Sequence, residues 1–208
     1  VWTFFYAQNT CALASHIALE EAGLPHEARR IDFARDEQRA PDFLAINPKA
    51  RVPALVTERG ILTETPAILA FIAQTRPEAG LAPLDDAFAF AEVQAFNSYL
   101  CSTVHVAHAH RMRGTRWADD PAAIEAIKKK VPETVGACFR LIEAEMLKGP
   151  WVMGERYGIA DAYLFTLSAW LAKDGVDIET LPRVKAHRAA MLARPAVQRA
   201  LAAEGVTA

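Results

Sequence analysis

The sequence predicts an α/β unit followed by an all-α unit, and three observations carry that prediction. Short aromatic and β-branched runs are confined to the first third of the chain. A Pro/Gly-rich stretch, Arg76-Pro77-Glu78-Ala79-Gly80-Leu81-Ala82-Pro83, follows them. Beyond it the apolar residues recur at the helical spacing of three or four.

Taken in order, residues 2–6 are an aromatic run and read as a strand. Residues 12–22 place Leu13 and Ile17 on one helical side, and Gly23-Leu24-Pro25 stops that helix. Residues 27–33 alternate loosely and read as a strand. Residues 36–46 read as a short helix. Residues 52–57 and 60–62 form a hairpin with Glu58-Arg59-Gly60 at its turn. Residues 63–74 form a helix with Ile68, Leu69 and Ile72 turned inward. The order βαβαββα suits a parallel pair to which the hairpin adds antiparallel strands. This sets a first domain at residues 1–76, a linker at 77–86 and an all-helical domain at 87–208. In that second domain residues 87–117 read as one long helix or two abutting ones. Residues 121–147 read as one helix, kinked near Lys128 by Pro132. Residues 158–172 are strongly apolar and central, and shorter helices follow at 181–192 and 195–203.

Composition limits the function. The 208 residues are 52% hydrophobic, enough for a sizeable core. A net charge of -2 argues against a general electrostatic grip on nucleic acid or membrane. No apolar run is long enough to span a bilayer, and the polar Thr3 and Gln8-Asn9-Thr10 break any signal-like start. Cys11, Cys101 and Cys138 are widely spaced and odd in number, so a reducing compartment fits, with the cytoplasm as default.

Three segments carry chemistry. Cys11 stands just before a helix start, where the dipole lowers a thiol pKa. Ala14 replaces any second thiol three residues on, so Cys11 acts alone. Its alternative is a buried, inert cysteine. Val52-Pro53 is either a plain edge-strand proline or a ligand-binding edge. Glu64-Thr65-Pro66 opens a helix whose free N–H groups and positive dipole end suit a carboxylate. An ordinary N-terminal cap uses the same groups.

The Cys11 turn, Asn47-Pro48-Lys49-Ala50-Arg51-Val52-Pro53 with Glu64-Thr65, and Gly158-Ile159-Ala160-Asp161-Ala162-Tyr163-Leu164 are collinear. Together they resemble the glutathione S-transferases over nearly the whole chain, most closely the bacterial beta class. The resemblance implies a thioredoxin-like domain followed by an all-helical one, and a homodimer. It implies a cis Pro53, with the Val52 backbone pairing with the cysteinyl part of glutathione. It implies that Thr65 binds the γ-glutamyl carboxylate and Glu64 the ammonium, and it adds Lys49 to the glutathione-binding set. Cys11 then lies beside the glutathione sulfur, with Thr10 as a second hydroxyl donor to it. His105 reaches the tripeptide from the helical domain. Ser98 stands where the family has Asn, and Val106 where it has Lys. Asp161 closes half a capping box whose other half is absent at Gly158.

The expected reaction is attack of the glutathione sulfur on an electrophilic, mostly apolar small molecule. The second-substrate cleft is expected at Ala7, Gln8, Tyr99, His108 and Met112. Glutathione is the co-substrate and no metal is expected, because His105, His108 and His110 on one helix read as solvated surface. Arg111, Arg113 and Arg116 are a basic cluster, read first as a solvated helix end. Three alternatives remain: thiol–disulfide or dehalogenating chemistry through Cys11, isomerisation of maleylacetoacetate-type acids, whose acidic substrate the Arg cluster suits, and a non-catalytic ligand-binding scaffold.

Overall fold

The computed structural model describes residues 1–206. Its N-terminal part is built on one four-stranded sheet. The strands are β1 (Trp2–Tyr6), β2 (His26–Arg30), β3 (Ala54–Thr57) and β4 (Gly60–Thr63), and they lie in the order β2-β1-β3-β4. β1 runs parallel to β2, with Phe4 opposite Ala28. It runs antiparallel to β3, with Phe4 opposite Leu55. β4 completes the hairpin, with Leu55 opposite Leu62. Helices α1 (Ala12–Glu21), α2 (Pro41–Ile46) and α3 (Thr65–Thr75) complete this part. The predicted βαβαββα order is therefore present.

The rest of the chain is helical: α4 (Ala87–Tyr99), α5 (His105–Ala109), α6 (Pro121–Lys129), α7 (Val131–Leu141), α8 (Ile159–Ser168), α9 (Pro182–Leu192) and α10 (Pro195–Glu204). A π-helical segment, Leu100–Val104, joins α4 to α5, so the predicted helix runs unbroken but locally widened to Ala109 and stops short of Trp117, with a separate 3₁₀ turn at Gly114–Arg116. Two predicted elements are corrected. Residues 121–147 form two helices, because Pro132 sits in the first turn of α7, where its missing N–H costs nothing. Residues 36–46 do not form one helix. Asp36 takes φ 57, and only Pro41–Ile46 is α-helical.

α1 is the hinge of the packing. On one side it joins the sheet core around Phe4, Leu55 and Ile72. On the other, Leu13 and Ile17 meet Ala162, Phe165, Met191, Val197 and Leu201 of the helical part. Ala12, Ala14 and Ala18 leave its flanks thin enough to be buried on both sides. Burying each side chain as large as Ile17 or Phe165 contributes about 1.5–3 kcal/mol. Ion pairs seal the rim of this interface: Arg194 to Glu21 at 2.6 Å and Arg199 to Glu20 at 2.6 Å.

The linker is docked onto the helical part. Leu81 is buried, and its carbonyl accepts from the Ile159 N–H at 2.9 Å. A Cβ on Gly158 would stand 2.8 Å from that same carbonyl. The missing half of the capping box thus has a steric reason. Asp161 supplies the other half, accepting from Gly158 N–H and Val152 N–H at 2.7 Å each and meeting His187 Nε2 at 3.0 Å.

Candidate active site

The site lies where the N-terminal ends of α1 and α3 face the α4–α5 and α8 region. Val52-Pro53 is the cis peptide bond of the chain's described residues. The segment leading to it is shaped by Asn47, which is fully buried. Its amide donates to the Arg51 carbonyl at 2.7 Å and its oxygen accepts from Lys49 N–H at 3.2 Å. The Val52 carbonyl in turn accepts from Cys11 Sγ at 3.7 Å. One buried side chain therefore sets the backbone that carries Val52. Asn47 stands in the Asn47–Pro53 segment with no local sequence signal of this role.

α3 begins without a side-chain cap. Its N-cap, Glu64, takes φ 73 and ψ 122, a conformation that an L-residue adopts only at a cost. Thr65 is buried at the first position of the helix, and Pro66 removes one donor there. The first-turn N–H groups of Thr65 and Ala67 have no intrahelical acceptor. The Glu64 carboxylate pairs with Lys49, and the Lys49 ammonium also donates to the Thr63 hydroxyl at 2.7 Å. The two charged residues expected to meet glutathione thus meet each other.

Cys11 corrects a prediction. Its thiol is not lowered by the helix start but pushed up to about 11, burial being the largest cause. A hydrogen bond from Thr65 works in the opposite direction, and the Glu64 charge adds to the rise. The Cys11 backbone N–H also favours the thiolate, but the next N–H groups at the start of α1 turn elsewhere. Ala12 donates to the Thr10 hydroxyl, Leu13 to the Thr10 carbonyl and Ala14 to the Cys11 carbonyl. The Thr10 hydroxyl itself donates to the Ala7 carbonyl at 2.7 Å. Thr10 is therefore a local turn-former in this geometry, with its proton committed.

On the helical side, His105 is pressed against Trp170, with ring centroids 5.2 Å apart. Burial holds its pKa down to about 4, and His108, Arg116 and Arg51 push the same way. It is neutral near pH 7. Tyr163 of α8 is buried, and its phenol is raised first by that burial and then by the charges of Cys11, Cys101 and Glu64. It keeps its proton. An aromatic residue on a wholly buried helix gives no sequence signal of such a position.

Other expected residues lie apart. Gln8 donates to the Glu204 carbonyl at 2.7 Å, clamping the end of α10. His108 stacks on Trp170 at 4.1 Å and bonds the buried Asp174 at 2.7 Å, with Arg111 on the same carboxylate at 3.0 Å. Tyr99 interacts with Cys138 of α7. Met112 is 71% exposed beyond the end of α5. Ala7 is buried beneath the Thr10 turn. Ser98 is exposed, and its carbonyl is taken by the Ser102 hydroxyl at 2.8 Å. The basic cluster splits: Arg111 serves Asp174, while Arg113 and Arg116 remain, Arg116 being lowered by burial and by Arg51 across the cleft.

Comparison with known proteins agrees with this geometry. Residues 1–74 match the model of the glutathione S-transferase N-terminal domain, and residues 106–195 that of the glutathione S-transferase C-terminal domain. The chain is 33% identical to glutathione S-transferase GST-4.5 of Xanthomonas campestris, over 95% of this chain and 96% of that one. A Sulfitobacter glutathione transferase homologue solved with bound glutathione superposes with a TM-score of 0.95 at 45% identity, covering 100% of this chain and 99% of that one. The chain belongs to the glutathione S-transferase family. Its structural neighbours include the bacterial beta class. The Sphingomonas chungbukensis member has a TM-score of 0.86 at 33% identity, over 99% and 100% of the two chains.

Proposed function

We propose that this chain conjugates the glutathione sulfur to electrophilic, mostly apolar small molecules, in the manner of a beta-like transferase and as a cytoplasmic homodimer. The observation that carries the reading is the uncapped start of α3, with Glu64 held at φ 73, next to the thiol of Cys11 and the backbone of Val52. A helix start left open beside a held backbone edge is fitted to a ligand with a carboxylate and a peptide.

In this reading the γ-glutamyl carboxylate takes the Thr65 and Ala67 N–H groups and the Thr65 hydroxyl. Its ammonium joins Glu64, displacing Lys49. The Val52 N–H and carbonyl hold the cysteinyl unit. Arg51 and Arg116 give the cleft mouth a positive field for an acidic tripeptide. The glutathione thiol releases its proton to water. The resulting thiolate attacks the electrophile, a sulfur–carbon bond forms, and the leaving group departs with its electron pair. In this reading protonated Cys11 and neutral His105 are the hydrogen-bond donors assigned to the thiolate.

The raised thiol of Cys11 argues against disulfide chemistry as the main activity, since exchange needs thiolate. Calorimetric titration of reduced glutathione into the full chain tests the binding step. Saturable binding of one molecule per subunit is expected. No binding would transfer the lead to the scaffold reading.

A further inference from the structure

A second constellation lies outside the cleft, at the far end of α1. His16, Glu20 and His26 each offer one ligand atom, and those atoms lie within 4.8 Å of one another. His16 and Glu20 are four residues apart and share one side of α1. His26 enters from the first position of β2, after the Gly23-Leu24-Pro25 turn. Among the described residues this is the group of three such side chains gathered at one point.

The surroundings are those of a ligand set. His16 Nδ1 bonds Glu204 Oε1 at 2.9 Å, and both side chains are buried. His26 Nδ1 bonds the Leu24 carbonyl at 2.8 Å. Each ring is thus oriented through Nδ1 by a carboxylate or a backbone carbonyl, which leaves Nε2 free; ring nitrogens that bind metals are held in this way. His26 Nε2 stands 3.9 Å from Glu20 Oε1, too far for a hydrogen bond. The other Glu20 oxygen, Oε2, is held by Arg199 Nε at 2.6 Å. The set borders a surface cavity of about 300 Å³, lined by Glu20, His26, Leu24 and Arg199 among others.

We propose that His16, Glu20 and His26 form a binding site for a divalent transition metal, zinc first, with its fourth position open to this cavity. Two imidazoles and one carboxylate suit zinc and its neighbours in the first transition row. Tetrahedral bonds of about 2.1 Å set ligand atoms about 3.4 Å apart. Closure from the observed spacing needs a small movement of His26 and Glu20, whose side chains are 8% and 22% exposed. Arg199 stays on Oε2 and offers a charge to a water or small anion in the fourth position. The ion would clip α1 to β2 and, through Glu204, reinforce the contact with α10.

The test uses the full chain, washed with chelator and titrated with Zn²⁺ by calorimetry, and with Co²⁺ as a visible-spectrum probe. One ion per chain is expected, micromolar or tighter, with a rise in melting temperature and a cobalt spectrum free of thiolate charge-transfer bands. His26→Ala and Glu20→Gln should each weaken binding at least tenfold while glutathione binding is unchanged. The Glu20 side chain is partly exposed and that of His26 is buried, so each variant's metal-free melting curve reports whether it folds. Absence of saturable binding would overturn the proposal. So would binding that survives both substitutions, or thiolate bands that place the metal on a cysteine.

Discussion

The starts of α3 and α8 carry similar chemistry and are finished in opposite ways. Each has an acidic residue and a small or hydroxylated one at its first turn. At α8 the helix start is closed: Asp161 takes two backbone N–H groups, His187 Nε2 meets the same carboxylate, and the Leu81 carbonyl takes Ile159 N–H. At α3 no side chain caps the helix, and the acidic N-cap residue is held at positive φ with its carboxylate half exposed on Lys49. The difference teaches that a helix terminus becomes a binding site when its own chain declines to satisfy it. The closed terminus contributes stability, and in the proposed function the open one keeps its donors for glutathione.

Substitutions break this comparison at predictable points. Asp161→Ala has the largest expected effect, about 3–5 kcal/mol, because it strands two buried donors and one buried imidazole. Urea denaturation measures it, and a loss below 1 kcal/mol would contradict the closed-terminus account. Next comes the thiol facing the open terminus. With Cys11 pushed up to about 11, its alkylation at pH 7.5 should be about 300-fold slower than that of an ordinary thiol and should rise tenfold per pH unit. The sign follows from burial favouring the neutral form, so the thiolate gains only as pH climbs toward the folded pKa. Peptide mass mapping follows Cys11 separately from Cys101 and Cys138; a midpoint near pH 7 would refute the assignment.

Gly158→Ser sharpens the contrast. It restores a capping hydroxyl to the box, yet its Cβ meets the Leu81 carbonyl at 2.8 Å. A net loss of about 1–3 kcal/mol is expected, read from the same urea midpoints, and a gain in stability would show that the linker yields easily. The smallest effect belongs to Thr65→Ala. Stability should change by about 1 kcal/mol or less. Glutathione affinity should fall about tenfold, or about 1.4 kcal/mol, while Thr65→Ser stays near wild type. Calorimetry on the three proteins decides, and equal affinity in all three would remove Thr65 from the binding set.

The strand and helix order was legible because periodicity and Pro/Gly punctuation are local properties. Phe4, Leu55, Ile68 and Ile72 announce a core by type and spacing alone. So do the Val52-Pro53 and Glu64-Thr65 segments, whose backbone chemistry is written into proline and a helix start. Side-chain commitments were not legible. Nothing local says that Gln8 reaches Glu204, that His108 and Arg111 share Asp174, or that burial outweighs the helix start at Cys11. Residues 121–147 were misread for a related reason: proline is tolerated both at a kink and in a first turn, and only the neighbouring packing selects one.

By itself the sequence determined the two-part architecture, the site's backbone framework and the lone thiol. The tertiary structure decided the charge state of that thiol, which groups remain free, and the meeting of His16, Glu20 and His26. The reason is physical. Hydrogen-bonded backbone patterns are set by neighbours in sequence. Desolvation and ion pairing depend on which distant side chains arrive at the same point.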